Sequence, residues 1–263
     1  MNDGIQIIKP CTQLKPFVRY YWILRSDERL NVQTFPIGCT QIIFHRKSPL
    51  HIPELNLTQN KFTISGQVNF PSHIATTDAT EMIVVVFYPH TISLFIDTPP
   101  SEFYNSEISG FDLENNSLNF LASTIFNCEN PNICIASIES WLLSKLSRPS
   151  TPNMLRLEST LSLMMSNPSV SIETLAENAC LSQTQFGRIF NHYVGMMPKE
   201  YARIVRFQKS LWQLQNGSRD YCDIAYSCGY SDQSHFIREF KEYGGCTPSR
   251  IKMPYSDLFA NQA

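Results

Sequence analysis

The second half of this 263-residue chain carries one pattern twice, at an offset of about 50 residues, and such self-similarity means two copies of one small unit. The first copy reads Ala176-x4-Leu181-x4-Phe186-x3-Phe190 and ends Gly195-x2-Pro198. The second reads Ala225-x4-Tyr230-x5-Phe236-x3-Phe240 and ends Gly245-x2-Pro248, with one extra residue in the turn. Each copy has the form of a helix, a tight turn and a second helix. Ser171 can cap the first helix with Glu173 in its opening turn, and Ser182 with Gln185 three residues on forms a capping box. In the second copy Asp220 can cap the helix carrying Ile224 and Ala225, Gly229 supplies the turn, and the next helix is expected from about Ser231 to Tyr243. Pro198 suits the first turn of a connecting helix through about Gln215, with Tyr201, Ile204, Val205, Gln208, Leu211 and Trp212 on its apolar side.

The two Phe residues of each second helix are four apart and share a face, so the position midway between them points the other way. That position is arginine both times, Arg188 and Arg238. Thr184, Gln185, Asn191 and His192 flank the first, and Ser234, His235 and Lys241 the second. A helix with a Phe-anchored back and an outward arginine among small polar residues suits the DNA major groove, because arginine can grip guanine O6 and N7 with two hydrogen bonds. A solvated side chain is the ordinary role of one exposed arginine; two at matching positions in a duplicated unit favour the groove.

A Pro- and Ser-rich stretch, Ser147 to Pro152, interrupts the chain past its middle and reads as a linker. It divides an expected β-rich sensor or dimerisation domain, residues 1–147, from an all-helical reader, residues 151–258. The net charge of −2 splits as −3 before residue 151 and +1 after it, which argues against coating nucleic acid by charge alone and leaves specific binding open. Before the linker, Phe17 to Leu24, Gln41 to His45, Lys61 to Ser65 and Met82 to Tyr88 are short runs rich in Val, Ile, Tyr and Phe, as strands are. Ile135, Ile138, Leu142 and Leu146 then form a helical stripe, available either for packing on the β-body or for pairing two chains.

Over about Ser169 to Ile251 the chain resembles the AraC/XylS family of bacterial transcription regulators, most closely from Ile224 to Lys241 and in Gly245-Cys246-Thr247-Pro248-Ser249. The resemblance implies two helix-turn-helix subdomains joined by a linker helix, each laying its second helix in a successive major-groove segment on one DNA face. Thr184, Gly187 and Arg188 then resemble the base-facing set of the first reader, and Gln233, Ser234, Ile237 and Arg238 that of the second. The DNA-binding residues expected are Ser182, Thr184, Gln185, Arg188, Ser231, Gln233, Ser234 and Arg238. Gly187 offers no side chain to a base; Arg206 of the linker helix is expected to be structural; Arg250 or Lys252 could meet phosphates. The implied partners are double-stranded operator or promoter DNA, RNA polymerase, a small-molecule effector and a second copy of the chain.

The first half, with Leu14 to Trp22, Phe35 to Phe44 and Val86 to His90, looks like the β-rich sensor domain of some members, which implies a cupin-like barrel. The fold expected is α+β in two domains. Tyr20, Tyr21, Trp22, Phe35 and Phe44 could line an apolar pocket or pack a core. His45, His51, His73 and His90 include no H-x-H pair, so no metal is expected, and no cofactor. The eight cysteines contain no C-x-x-C and read as small, buried apolar residues kept reduced. No catalytic order, nucleophile elbow or phosphate loop stands out. A non-enzymatic regulator is therefore expected in the cytoplasm, with no membrane segment. The alternative is a cupin-like small-molecule enzyme with an appended helical docking domain.

Overall fold

Three valines in succession, Val84, Val85 and Val86, are buried on both faces of their strand, which sets that strand in the middle of a sheet. The computed structural model describes residues 4–146, 151–217 and 220–251, in two compact units. Unit one comprises Met1–Gln33, Cys39–Gln67 and Ser72–Ser150; unit two takes Thr34–Gly38, Val68–Pro71 and Thr151–Ala263.

The strands are β1 Gly4–Ile8, β2 Val18–Ser26, β3 Leu30–Thr34, β4 Gln41–His45, β5 His51–Ile52, β6 Leu57–Thr58, β7 Phe62–Ser65, β8 Ser72–Thr76, β9 Thr80–Phe87 and β10 Glu107–Ser109. One sheet runs β1-β2-β9-β4-β7-β10, the other β3-β8-β5-β6. The central β9 pairs antiparallel with β2, Trp22 opposite Val84, and with β4, Ile43 opposite Val84. Among the described residues the two sheets do not join into a closed barrel, so the body is cupin-like but open. All four strands read from the sequence are present within a few residues. The additional strands are mostly short ones, such as the two-residue β5 and β6, in which no alternation can register.

Aromatic packing consolidates the body. Phe44 stacks on Phe62 at 5.1 Å, and Phe95 joins Phe87 at 5.3 Å to Trp141 at 6.4 Å. Tyr20, Tyr21, Trp22 and Phe44 are core residues, and Phe35, counted with unit two, sets its ring against Phe207. Two helices follow, α1 Asn116–Asn127, capped by Asn115, and α2 Pro131–Lys145, with Pro131 in its first turn. Ile135, Ile138 and Leu142 are buried within this unit, so of the two uses open to that stripe it serves packing.

Buried polar groups in the body form a chain. The ring of His45, Nε2, lies 2.8 Å from Gln59 Oε1, and Gln59 Nε2 donates to Glu107 at 2.6 Å, where Ser65 also donates. Burial pushes Glu107 up to about 7 against those two donors, and burial lowers both His45 and His90 to about 4. His73 meets Glu54, and His51 meets Thr58, so the four histidines have separate local partners or burial sites. No cluster of three or more metal-ligating side chains occurs among the described residues. All eight cysteines are free; Cys39, Cys134 and Cys228 are buried, whereas Cys180 and Cys222 are exposed, contrary to a uniformly buried reading. No helix of the described residues is long and apolar enough to cross a membrane.

Unit two contains α3 Pro152–Ser166, α4 Ile172–Asn178, α5 Gln183–Val194, α6 Pro198–Gln215, α7 Tyr221–Cys228 and α8 Gln233–Gly244. Here the repeat proves larger than the sequence pattern: α3 precedes the first helix-turn-helix as α6 precedes the second, and each opens with proline in its first turn. Ser171 and Asp220 cap α4 and α7 as expected, and Ser182 forms both halves of its capping box. Each reading helix ends on a left-handed glycine, Gly195 at φ 90° and Gly245 at φ 70°.

Candidate nucleic-acid interface

The backs of α5 and α8 are built from rings. Phe186, Phe190, Phe236 and Phe240 are fully buried, Phe190 meeting Tyr201 of α6 at 5.6 Å and Phe240 meeting Phe207 of α6 at 5.1 Å. Burying one such side chain stabilises by about 1.5–3 kcal/mol, so each pair fixes which arc of its helix can face water. Arg188 and Arg238 lie on the exposed arc, as the spacing requires.

Around Arg188, Thr184 and Gln185 are exposed, together with Ser182 at the N-cap. Two of these are partly committed to the helix start: Ser182 Oγ accepts the Gln185 amide N–H, and Gln185 Oε1 accepts the Ser182 amide N–H. Gly187 is buried, and a Cβ there would stand 3.4 Å from Met197 Cε, so it belongs to the packed side rather than to the base-facing set. The buried arc of α5 is wider than the two Phe positions alone imply.

Around Arg238, Gln233, Ser234 and Lys241 are exposed and Ile237 is half-buried. The helix begins later than expected. Asp232 is its N-cap, and the His235 amide donated to its carboxylate at 2.7 Å holds Asp232 below the usual carboxylate range. Ser231 therefore lies before the cap, and both its amide and its hydroxyl meet His235 Nδ1, at 3.3 and 3.1 Å. His235 faces inward, its Nε2 3.5 Å from Glu239, and does not flank Arg238 on the open face. Gln233 Oε1 accepts from the Cys222 thiol at 3.3 Å.

The spacing pattern did not reveal Glu239. Its side chain is 5% exposed, and Arg203 and Arg206 of α6 converge on it. Arg206 donates through Nε to Oε1 at 3.0 Å and through Nη2 to Oε2 at 2.9 Å, while Arg203 Nε reaches Oε2 at 2.9 Å. Arg206 also stands over the Tyr230 ring and Arg203 over the Tyr243 ring, and Arg203 pairs with Glu242. Arg206 is thus structural, as expected. The signal available in the sequence was a pair of arginines three apart on α6, which places both on one helix face. Arg250 is exposed in a short 3-10 helix, Pro248–Arg250, and Lys252 lies outside the described residues.

Comparison with known proteins gives matches to both halves. Residues 175–253 match the helix-turn-helix domain family, and residues 6–109 match a domain of unknown function, DUF6597. An uncharacterized HTH-type transcriptional regulator of Haemophilus influenzae is 35% identical over 85 residues, covering 32% of this chain and 28% of that protein. The chain therefore spans under a third of that relative's length. The probable transcription factor PqrA of Proteus vulgaris is 31% identical over 86 residues, covering 33% of this chain and 70% of PqrA. Among solved structures, a Chromobacterium violaceum transcriptional regulator described as AraC-type is 28% identical with a TM-score of 0.34, covering 36% of this chain and 86% of that one.

Proposed function

This chain belongs to the AraC/XylS family of transcription regulators, and from that premise we propose that it binds double-stranded DNA sequence-specifically through α5 and α8. One observation carries the reading: in two copies of one fold, an exposed arginine stands opposite a fully buried Phe pair at the same helical position. Arg188 and Arg238 are the base-reading residues, each able to hold a guanine with two hydrogen bonds. Thr184 and Gln185 beside the first, and Gln233 and Ser234 beside the second, contact base edges or phosphates; Ser182 at the N-cap of α5 and Ser231 just ahead of the Asp232 cap of α8 are phosphate contacts. The reader is residues 151–258.

The connecting helix α6 has 18 residues, about 27 Å at 1.5 Å per residue, and the two readers differ in sequence. One chain accordingly reads two unlike segments about one helical turn apart, roughly 10 base pairs centre to centre. Residues 1–147 are the regulatory part, acting through a small molecule or through pairing of two chains, and RNA polymerase is the partner at a promoter. The function is binding in the cytoplasm without catalysis.

Selection of duplexes from a random pool by the full chain tests this. Arg188→Ala and Arg238→Ala should each relax preference at one base pair within its own segment and leave the other segment's preference intact. Wild-type affinity for the selected DNA in both variants rules the reading out.

A further inference from the structure

The two reading helices share a back of rings, but only α8 carries a buried carboxylate. Glu239 sits in the position that Ile189 holds in α5. When α3 and α6 are aligned on their first-turn prolines, Arg203 and Arg206 fall where the first copy has Leu157 and Thr160, both fully buried. At the positions where the second copy has a three-residue ion cluster, the first thus has no charge: Ile189 is half-buried, Leu157 is buried, and the buried Thr160 hydroxyl donates to the Leu157 carbonyl of its own helix.

The chemistry of the two contacts differs. Packed apolar side chains resist separation, but their attraction is non-directional. A planar guanidinium donating twice to one carboxylate is directional, and adds geometric specificity to its energy. Arg206 makes that fork on Glu239, and Arg203 closes on Oε2 from the next turn of α6. Glu239 is the neighbour of Arg238 in the chain, so their side chains leave the helix about 100° apart. Whatever fixes the first direction fixes the second.

We infer that Glu239 is a positioning residue of the second reader: clamped by Arg203 and Arg206 of the linker helix, it sets the rotation of α8 about its axis and so the direction in which Arg238 reaches a base. The inference rests on the proposed reading of DNA by α8. It also gives α6 a part in recognition, since the clamp ties the second reader's rotation to the helix that follows the first.

The test uses the full chain, its selected duplex, and two further duplexes with either the first or the second segment scrambled. For the wild type, scrambling the second segment should weaken binding by roughly tenfold or more. In Glu239→Gln that penalty should fall below about threefold while the penalty for the first segment stays at its wild-type value, and adding Arg238→Ala should weaken binding little further. A general loss of folded protein would instead lower the active fraction and leave both penalties unchanged. Should Glu239→Gln fail to fold, Arg206→Lys keeps a cation opposite Glu239 while removing the planar fork, and it should also shrink the second penalty alone. Wild-type penalties in whichever of these variants folds overturn the inference. A wild-type protein indifferent to both scrambled segments overturns the DNA reading itself, a result separable from the first.

Discussion

In the first helix-turn-helix, a cysteine takes the left-handed turn, Cys180 at φ 54°, a capping box starts the reading helix, and apolar side chains hold its inner face. In the second, glycine takes the turn, Gly229 at φ 84°, an aspartate caps the helix, and Glu239 with two arginines joins the rings behind it. Beside the buried Phe pair and the closing glycine, the outward arginine is what the two retain. Duplicated units can therefore keep what faces a partner and replace part of what holds it, because many combinations of packing, caps and ion pairs fix one helix direction.

The largest test of that equivalence is the pair of rings. Phe190→Ala and Phe240→Ala each empty a fully buried site and should each lower unfolding stability by about 3–5 kcal/mol in denaturant titrations. If one variant melts like the wild type, the two backs are not equivalent. The exposed arginines come next. Arg188→Ala and Arg238→Ala should each weaken binding to the selected duplex by about 1–3 kcal/mol with unfolding unchanged; an effect in only one would make the copy that carries it the sole reader.

The turns should then differ in sign. Gly229→Ala puts a side chain on a left-handed residue and a Cβ 2.4 Å from Ser169 Oγ, so a loss of about 1–2 kcal/mol is expected. Cys180→Gly relieves the same backbone constraint in the first copy, and should cost little or gain up to about 1 kcal/mol. Equal losses at both sites would show that the first turn is not strained by its cysteine. A control in unit one should leave the readers' difference untouched. Folded Glu107 keeps its proton to about pH 7, so its contribution to stability is present at low pH and lost as pH rises from the unfolded value near 4.3. His45 and His90, lowered to about 4, act in the opposite sense and add stability as pH rises toward 6.5. Glu107→Gln should therefore make the thermal midpoint climb more steeply between about pH 4.5 and 6.5, with both segment penalties as in the wild type. An unchanged profile would show that Glu107 ionises normally.

Local features were the legible ones. Ser171, Ser182 and Asp220 announced their helices because a cap is a side chain bonding its own neighbourhood, and the Phe spacing gave the buried faces of α5 and α8. The features that were misread or went unread were those whose role is set from elsewhere. Gly187 lies one residue from Phe186, at the edge of an arc whose width depends on Met197. Glu239, a charge beside an exposed arginine, reads as solvated until two arginines of another helix reach it. The likeness of α3 to α6 was hidden for the same reason, since Leu157 and Thr160 have no chemical resemblance to Arg203 and Arg206. Leu118, Leu121, Ala122 and Ile125 of α1 did carry a helical spacing behind the Asn115 cap, and that signal was available in the sequence.

The shared helix α6 has a consequence for how the second unit comes apart. Tyr201 near its start packs on Phe190 of one reader, and Phe207 in its middle packs on Phe240 of the other. Arrays of repeats that touch only through their boundaries can open one module at a time. Here the boundary is itself a structural member of both modules, so neither can melt without stripping apolar cover from the helix that supports its neighbour. The amides of α5 and α8 accordingly belong to one cooperative unit, and should exchange with solvent through the same global opening, with one protection free energy for both.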